Sequence, residues 1–305
     1  MNSPVKPFFH PDNCFCGRSY RTWALFLMLM VFLGVAFACT GGPRPKTDPD
    51  VPYLPTPANV VYEMLRLASV SENDTVYDLG CGDGRVVIAA ARDFNARAVG
   101  VEIDAELVEK SITNAAREGV SGKVRFLRED IFRADIRDAQ VVTLYLLPGV
   151  NVLLIPKLFA ELKPGARIVS HMHDMGDWLP DKTVRVGDST VYLWVLPADI
   201  DGTWDVIVHG TGGPASGTLS FSQSFQVFHG TIFINGKKVR LYDTNLNGTG
   251  ISFSSKSRAA GVTQITSFQG VVKDGTIEGQ LVSGSKDSKE AVALYRWTAK
   301  RRNVR

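Results

Sequence analysis

"VYDLGCGDGR", Val76 to Arg85, decides the fold. "TVYDL" reads as a buried strand ending near Asp78, and "RVVIAAAR" as a helix rich in small apolar residues. Between them Gly80, Gly82 and Gly84 recur at every second position. Such a loop turns sharply and lets backbone N–H groups approach a ligand, which a Cβ would obstruct. The helix N-terminus behind it adds a positive dipole end. Dinucleotide folds space these glycines G-x-G-x-x-G around a pyrophosphate. Here the spacing is G-x-G-x-G, and Asp78 and Asp83 flank it. Two carboxylates repel a pyrophosphate and favour a cationic ligand that carries an amino group.

Outward from this loop, strands and helices alternate. "NVVYEMLRLA" has helical spacing in Val61, Leu65 and Ala68. "ARAVGVEI" is a second strand, "AELVEKSITNAAREG" a helix closed by Gly119, and "KVRFLRED" a third strand. "QVVTLYLL" is a fourth, "GVNVLLIPKLFAEL" a helix kinked or started at Pro156, and "ARIVSH" a fifth. "TVRV" and "TVYLWVL" flank Gly187-Asp188 as a closing hairpin. Five β/α units and a terminal hairpin predict an α/β fold with a seven-stranded, mostly parallel Rossmann-like sheet covered on both faces.

After Ala198 apolar and polar residues alternate, punctuated by Asn235-Gly236, Asn247-Gly248 and Asp274-Gly275. These hairpin signals predict an all-β antiparallel meander that curls into a small sandwich or barrel. Trp204 near its start and "LYRWTAKR" at its end resemble the Trp–Arg bracket of small ligand-binding barrels; a plain folding module is the simpler reading. The expected organisation is thus a hydrophobic signal or membrane anchor over 1–39, a Pro/Gly-rich linker over 40–57, a cofactor-binding α/β domain over 58–198 and a β domain over 199–305.

Two more acids complete the candidate site. Glu102, in "VGVEID", lies 20 residues beyond Gly82, where an acid can accept both ribose hydroxyl hydrogens. Asp130, after "VRFLRE", can accept an adenine amino proton. Acids at three successive strand ends converge on the crevice where open α/β sheets bind ligands.

In "VYDLGCGDGR", "VGVEID" and "LREDIF" the chain resembles the class I S-adenosylmethionine-dependent methyltransferases over about Val51–Pro197. Through "PYLPTP", "DLGCGDGRVVIAAA", "REGV" and "DWLPD" it is similar to the ATP synthase c-subunit lysine methyltransferases, membrane-associated enzymes. The resemblance implies that Tyr53 to Thr56 fold over S-adenosyl-L-methionine, with Thr56 near its carboxylate. It further implies that Asp78, Gly80, Gly82 and Asp83 surround the methionine part, Glu102 the ribose and Asp130 the adenine. The C-terminal β domain has no counterpart in that family's pattern.

Methyl transfer from a sulfonium needs in-line positioning and a neutral nucleophile more than a strong base. The acceptor belongs beside "TLYLLPGVN", where amide-methylating relatives carry an acid or amide before Pro-Pro-aromatic. This chain has Leu147-Pro148-Gly149 with Tyr145 and Asn151 nearby, leaving a protein lysine or a small molecule as acceptor. Tyr145 and His171 are the candidate catalytic residues, and each also has a packing role open to it. His171, His173 and Asp174 lack a further ligand at useful spacing and the chain has no C-x-x-C pair, so no metal is expected. Trp178 roofs the site or packs the sheet edge.

The remaining features concern location. "WALFLMLMVFLGVAFA", Trp23–Ala38, carries no charge and follows Arg18 and Arg21. It is long for a signal peptide and short for a span, so two readings stand: a signal cut before a lipid-carrying Cys39, or an uncleaved anchor. The methyl donor favours the cytoplasmic face; the signal-like N-terminus favours export. Net charge is +3, but Asp201–Arg305 holds 13 Lys/Arg against 7 Asp/Glu, which suits an anionic surface or a plain solvated face. No nucleic-acid partner is expected. The leading function is methylation of a protein nucleophile by a membrane-tethered enzyme. Its rivals are an exported lipoprotein with a non-catalytic α/β domain and a ligand-binding β domain, and, more weakly, a nicotinamide-dependent oxidoreductase.

Overall fold

The structure is a computed structural model that describes residues 54–259, 262–285 and 293–302. The readings placed on Trp23–Ala38, Cys39 and Tyr53 lie outside the described residues. Helix α1 (Ala58–Leu67) leads into β1 (Thr75–Leu79), α2 (Arg85–Asp93), β2 (Arg97–Glu102), α3 (Ala105–Arg117) and β3 (Val124–Arg128). Next come β4 (Val141–Leu144), α4 (Pro148–Glu161), β5 (Arg167–His171), β6 (Lys182–Val186) and β7 (Ser189–Val195). They form one sheet in the order β3-β2-β1-β4-β5-β7-β6. The first five strands run parallel, β7 lies antiparallel to β5, and β6 antiparallel to β7. The seven-stranded Rossmann-like sheet is therefore as expected. Strand order reverses between β1 and β4, which opens a crevice at their C-terminal ends.

Alternating side chains split the core into two layers. Tyr77, Leu79, Val99, Val101, Val142 and Leu144 pack with Leu154 and Leu158 of α4. Val76, Ala98, Val141 and Val169 pack under α1 and α2. The glycine of the loop matters most at Gly84, the N-cap of α2, which takes φ 79°. A Cβ there would come within 2.8 Å of Ser111 Cβ and 2.9 Å of Phe126 Cε1. Only glycine lets α2 start this close to α3 and β3.

Of the two forms expected at Pro156, a kink or a start, the start does not occur. α4 begins at Pro148 and runs through Pro156 without a new start. Pro148 suits a first turn, where its missing N–H would be unpaired anyway. Leu154 and Leu158, both buried, hold the helix on the sheet to either side of Pro156. Packing thus overrides the local cost of that proline.

The remaining strands are β8 (Gly202–Gly210), β9 (Gly213–Ser224), β10 (Val227–Ile234), β11 (Lys237–Asn247), β12 (Gly250–Ala259), β13 (Val262–Lys273), β14 (Thr276–Ser285) and β15 (Ala293–Arg301). Each pairs antiparallel with the next, and β15 pairs with β8, so of the two predicted outcomes the meander takes the closed barrel. Asn235-Gly236 and Asp274-Gly275 turn with both residues at positive φ, as a right-twisted two-residue hairpin requires. The third turn falls one residue later than its signal, on Gly248-Thr249 between the pair Asn247 and Gly250. Aromatic rings fill the barrel, with Trp204, Phe221, Phe228, Phe253, Phe268 and Trp297 all buried. Sheet and barrel belong to one compact unit, joined where Ala198 N–H donates to Gly248 O at 2.8 Å.

Candidate active site

Register brings the acids together. Asp78 pairs with Gly100 on one side and Thr143 on the other, so the ends of β1, β2 and β4 line up. Asp78 is buried, and Thr143 Oγ1 donates to its Oδ1 at 2.7 Å. Burial first, then the neighbouring Glu102 and Asp83, push its carboxyl up to about 7 against the pull of the Thr143 bond. A buried carboxyl raised in this way calls for a cation.

Glu102 shapes the loop from the end of β2. Its Oε2 accepts from Gly82 N at 3.0 Å, and its Oε1 from Ile103 N at 2.8 Å and Asp104 N at 3.0 Å. One carboxylate thus ties the glycine loop to the start of α3. Gly80 N and Cys81 N both donate to Val101 O, so the loop folds back over β2. Gly80 sits at φ 81°, and a Cβ would reach Leu146 Cδ2 at 2.9 Å. Asp130 lies just beyond β3; its Oδ1 accepts from Phe132 N at 2.9 Å, and Arg133 Nε stands 3.9 Å from its Oδ2.

Asp83, expected beside the methionine part, has a partner within the chain. Its two oxygens grip Arg85 Nε and Nη2 at 2.9 and 2.7 Å. Arg85 Nη1 then donates to Thr56 O at 2.8 Å. Asp83 is thus linked through Arg85 to the chain before α1. Asn114 Nδ2 donates to Asp83 O, 3.0 Å away.

The other side of the same clasp is His171. Its Nδ1 meets Thr56 Oγ1 at 3.3 Å and its Nε2 meets Ser189 Oγ at 3.0 Å. Burial, with His173 adding to it, pushes the imidazole down to about 4, so it is neutral at pH 7. Both ring nitrogens are engaged and the residue is buried. This geometry links His171 to Thr56 on one side and Ser189 on the other. Tyr145, half-buried after β4, lies against His171 with ring centroids 4.0 Å apart and faces His173 at 6.4 Å.

Sequence reasoning missed three contributors. Arg85 closes the very motif that was read, and Thr143 follows from the parallel register, but only once the strand pairing is known. Ser189 comes from β7, and no local pattern marks it. Asn151, buried in α4, donates from Nδ2 to Ser170 Oγ, His173 O and Asp174 O at 3.1, 3.1 and 3.2 Å. Among the described residues no group of three His, Cys, Asp or Glu is placed to hold a metal.

The crevice thus offers buried acid, glycine backbone and a clasped strap to a cationic amino-acid nucleotide. Comparison with known proteins gives the same answer. Residues 78–182 match the model of the ANTKMT methyltransferase domain. Over 153 residues the chain is 49% identical to a protein-lysine N-methyltransferase of Saccharolobus islandicus (strain REY15A), covering 48% of this chain and 95% of the relative. The chain belongs to the protein-lysine N-methyltransferases. It is also 34% identical over 197 residues to the adenine nucleotide translocase lysine N-methyltransferase of Mus musculus, covering 65% of this chain and 76% of that one. To the ATP synthase c-subunit lysine N-methyltransferase of Xenopus laevis it is 34% identical over 148 residues, covering 48% of this chain and 65% of that one. A solved structure described as an RNA methyltransferase from Salinibacter ruber in complex with S-adenosyl-L-homocysteine shares 55% identity, at TM-score 0.48, over 48% of this chain and 96% of that one. The methyl donor of this family is S-adenosyl-L-methionine, as the motifs led one to expect. The family model ends before the barrel begins.

Proposed function

We propose that this protein-lysine methyltransferase methylates a lysine presented by an apolar, membrane-associated protein, and that Trp23–Ala38 tethers it to the cytoplasmic face of a membrane. The observation that carries the reading is the placement of Asp78, Glu102 and Asp130 at the ends of three neighbouring strands, with the segment before α1 held by Arg85 and His171. Asp78 would face the cationic methionine part, Glu102 the ribose and Asp130 the adenine. S-adenosyl-L-methionine supplies a methyl carbon bound to positive sulfur; the lysine Nζ bonds to that carbon, and the electrons of the broken C–S bond return to sulfur. The acceptor amine must be neutral to attack, and its proton leaves to solvent. Tyr145 would offer that amine an uncharged wall, which favours its neutral form.

The rim supports an apolar partner. Leu54, Leu147, Val152, Leu153 and Met172 are all exposed on the strap, on and just before α4, and after β5. Exposed apolar side chains of this size suit an apolar partner. Among the described residues no helix is long and apolar enough to cross a membrane, so the tether rests on the sequence of Trp23–Ala38.

Full-length protein, titrated calorimetrically with S-adenosyl-L-methionine and then incubated with methyl-labelled donor and membrane proteins, the ATP synthase c-subunit among them, tests the proposal. Labelled methyl-lysine in the acid hydrolysate supports it. Label confined to RNA or small molecules would sink it. A Cys39-lipidated N-terminal peptide in mass spectrometry would return the protein to the exported reading.

A further inference from the structure

We propose that the barrel completes the acceptor side of the enzyme: its β9–β10 hairpin, through Phe225 and Gln226, holds the loop between β5 and β6 in its receiving shape. The proposal rests on the reading of the β4 and β5 ends as the acceptor side. That loop, residues 172–181, leaves the crevice directly from His171. Its first part is fixed from α4, where Asn151 Nδ2 grips His173 O and Asp174 O. Asp174 Oδ1 accepts from Gly176 N at 3.1 Å, and Met175 bridges to Trp178. Trp178 then drops into the core, and Trp194 Nε1 donates to its backbone oxygen at 2.7 Å.

Trp178 is where the barrel takes hold. Its Nε1 donates to Gln226 Oε1 at 2.9 Å, and Gln226 Nε2 donates to Leu179 O at 2.6 Å. A single amide from the barrel therefore satisfies both a buried indole N–H and the next backbone carbonyl. Phe225 stacks on Trp178, with centroids 5.6 Å apart and planes within 10°. Phe159 of α4 closes the cluster, 4.9 Å from Trp178 and 5.9 Å from Phe225.

The hairpin is itself locked in position. Phe225 adopts φ 54°, a left-handed conformation that is uncommon for a bulky residue. Gln223 holds it there: its Nε2 donates to Phe225 O at 2.7 Å and Ala198 O at 3.0 Å, while its Oε1 accepts from Ile200 N at 2.7 Å. The barrel thus presents a rigid tip, and the tip bonds to the acceptor-side loop. None of the acids Asp78, Glu102 and Asp130 touches it. A hairpin serving only as glue between two halves would affect stability alone. A positioning hairpin changes how the acceptor is bound while leaving the cofactor side as it was.

The test uses full-length protein, Gln226→Ala and Gln226→Glu. The glutamate keeps an oxygen for Trp178 Nε1 and loses the N–H given to Leu179 O. Three readouts are needed: amide exchange across 172–181, affinity for S-adenosyl-L-homocysteine, and KM and kcat with the purified ATP synthase c-subunit as acceptor. Gln226→Ala is expected to speed exchange in the loop about tenfold and raise KM about fivefold, with kcat and cofactor affinity within about twofold. Gln226→Glu should fall between it and wild type, and serves alone if the alanine variant does not fold. An unchanged KM, with or without faster exchange, overturns the proposal. So does a cofactor affinity that falls in step with KM. Wild-type protein that binds the cofactor product yet methylates no lysine overturns the proposed function itself, a different result.

Discussion

The two halves of the molecule bury different chemistry. The α/β half hides Asp78, Asp83, Glu102, Thr143, Asn151, Ser170 and His171, whereas Ser254 is the barrel's single buried polar residue among those described. Buried charge is costly unless paired or matched to a ligand, and a chain retains it where it does chemistry. The barrel instead fills itself with rings and satisfies their N–H groups locally, as when Trp297 Nε1 donates to Gln269 O and Gln280 O. The α/β half has therefore given up stability for a site, and the barrel has spent its interior on rigidity.

Asp78 gives the largest test of that contrast. Asp78→Asn should weaken S-adenosyl-L-methionine binding by about a hundredfold or more, since it removes the charge that meets the cation. The same change should stabilise the ligand-free protein at pH 8 by on the order of 1–2 kcal/mol. The sign follows from the raised carboxyl. Its folded pKa of about 7 lies above the unfolded value, so its contribution to stability is complete at low pH and is lost as pH rises to 7. Calorimetry and thermal melts check both halves of the prediction, and a variant that binds normally breaks the contrast.

The second test varies pH with wild-type protein. A cation favours ionised Asp78, so affinity should rise about tenfold per pH unit below 7 and level off above 8. Asp78→Asn should abolish the slope. His171 cannot supply it, because its imidazole is pushed down to about 4 and stays neutral over that range. A slope that survives in Asp78→Asn would move the titrating group elsewhere.

A smaller effect belongs to the clasp. Thr56→Val keeps the shape of the side chain and removes the hydroxyl that meets His171. One hydrogen bond is worth about 1 kcal/mol, so cofactor affinity should fall about fivefold, with the Arg85–Thr56 backbone bond still in place. Affinity unchanged in Thr56→Val would show that the strap does not cover the cofactor.

The same division explains what the sequence could disclose. The β/α alternation and the three acids were legible because strand ends and glycine turns are local signals. The meander was legible from Asn-Gly and Asp-Gly, though barrel closure depends on β15 meeting β8, more than 80 residues away in the chain. The Asp83–Arg85 pair was not legible, because two-residue spacing says nothing about which partner a carboxylate takes. The two hydroxyls that meet His171, from Thr56 and Ser189, were not legible because they come from distant segments of the chain. Pro156 marks a kink or a helix start by its local cost, which is visible, whereas the packing of Leu154 and Leu158 is not. For His171 and Pro156 the missing information was a contact with distant residues; for Asp83 it was which near neighbour its carboxylate takes.

The smallest test is Arg301→Ala in the barrel. The guanidinium lies over Trp204, 4.9 Å from the ring centroid, and Trp204 Nε1 donates to Ile200 O at 2.8 Å beneath it. Arg301 also pairs with Asp199 Oδ2 at 2.8 Å, and that bond holds the Asp199 carboxyl below its usual range. Asp199 is largely exposed, so the ion pair adds little and the ring contact most of the effect, about 1 kcal/mol together. The Asp199 part is present at neutral pH and is lost as pH falls through its lowered pKa, so the variant's deficit should shrink in acid. Cofactor affinity should not move, because Arg301 and the acids of the α/β half share no contact. A melting temperature a few degrees lower with calorimetry unchanged keeps the two halves distinct. If Arg301→Ala instead weakened cofactor binding while sparing stability, the bracket that closes the barrel would belong to the enzyme's site, and rigidity alone would no longer account for the barrel's interior.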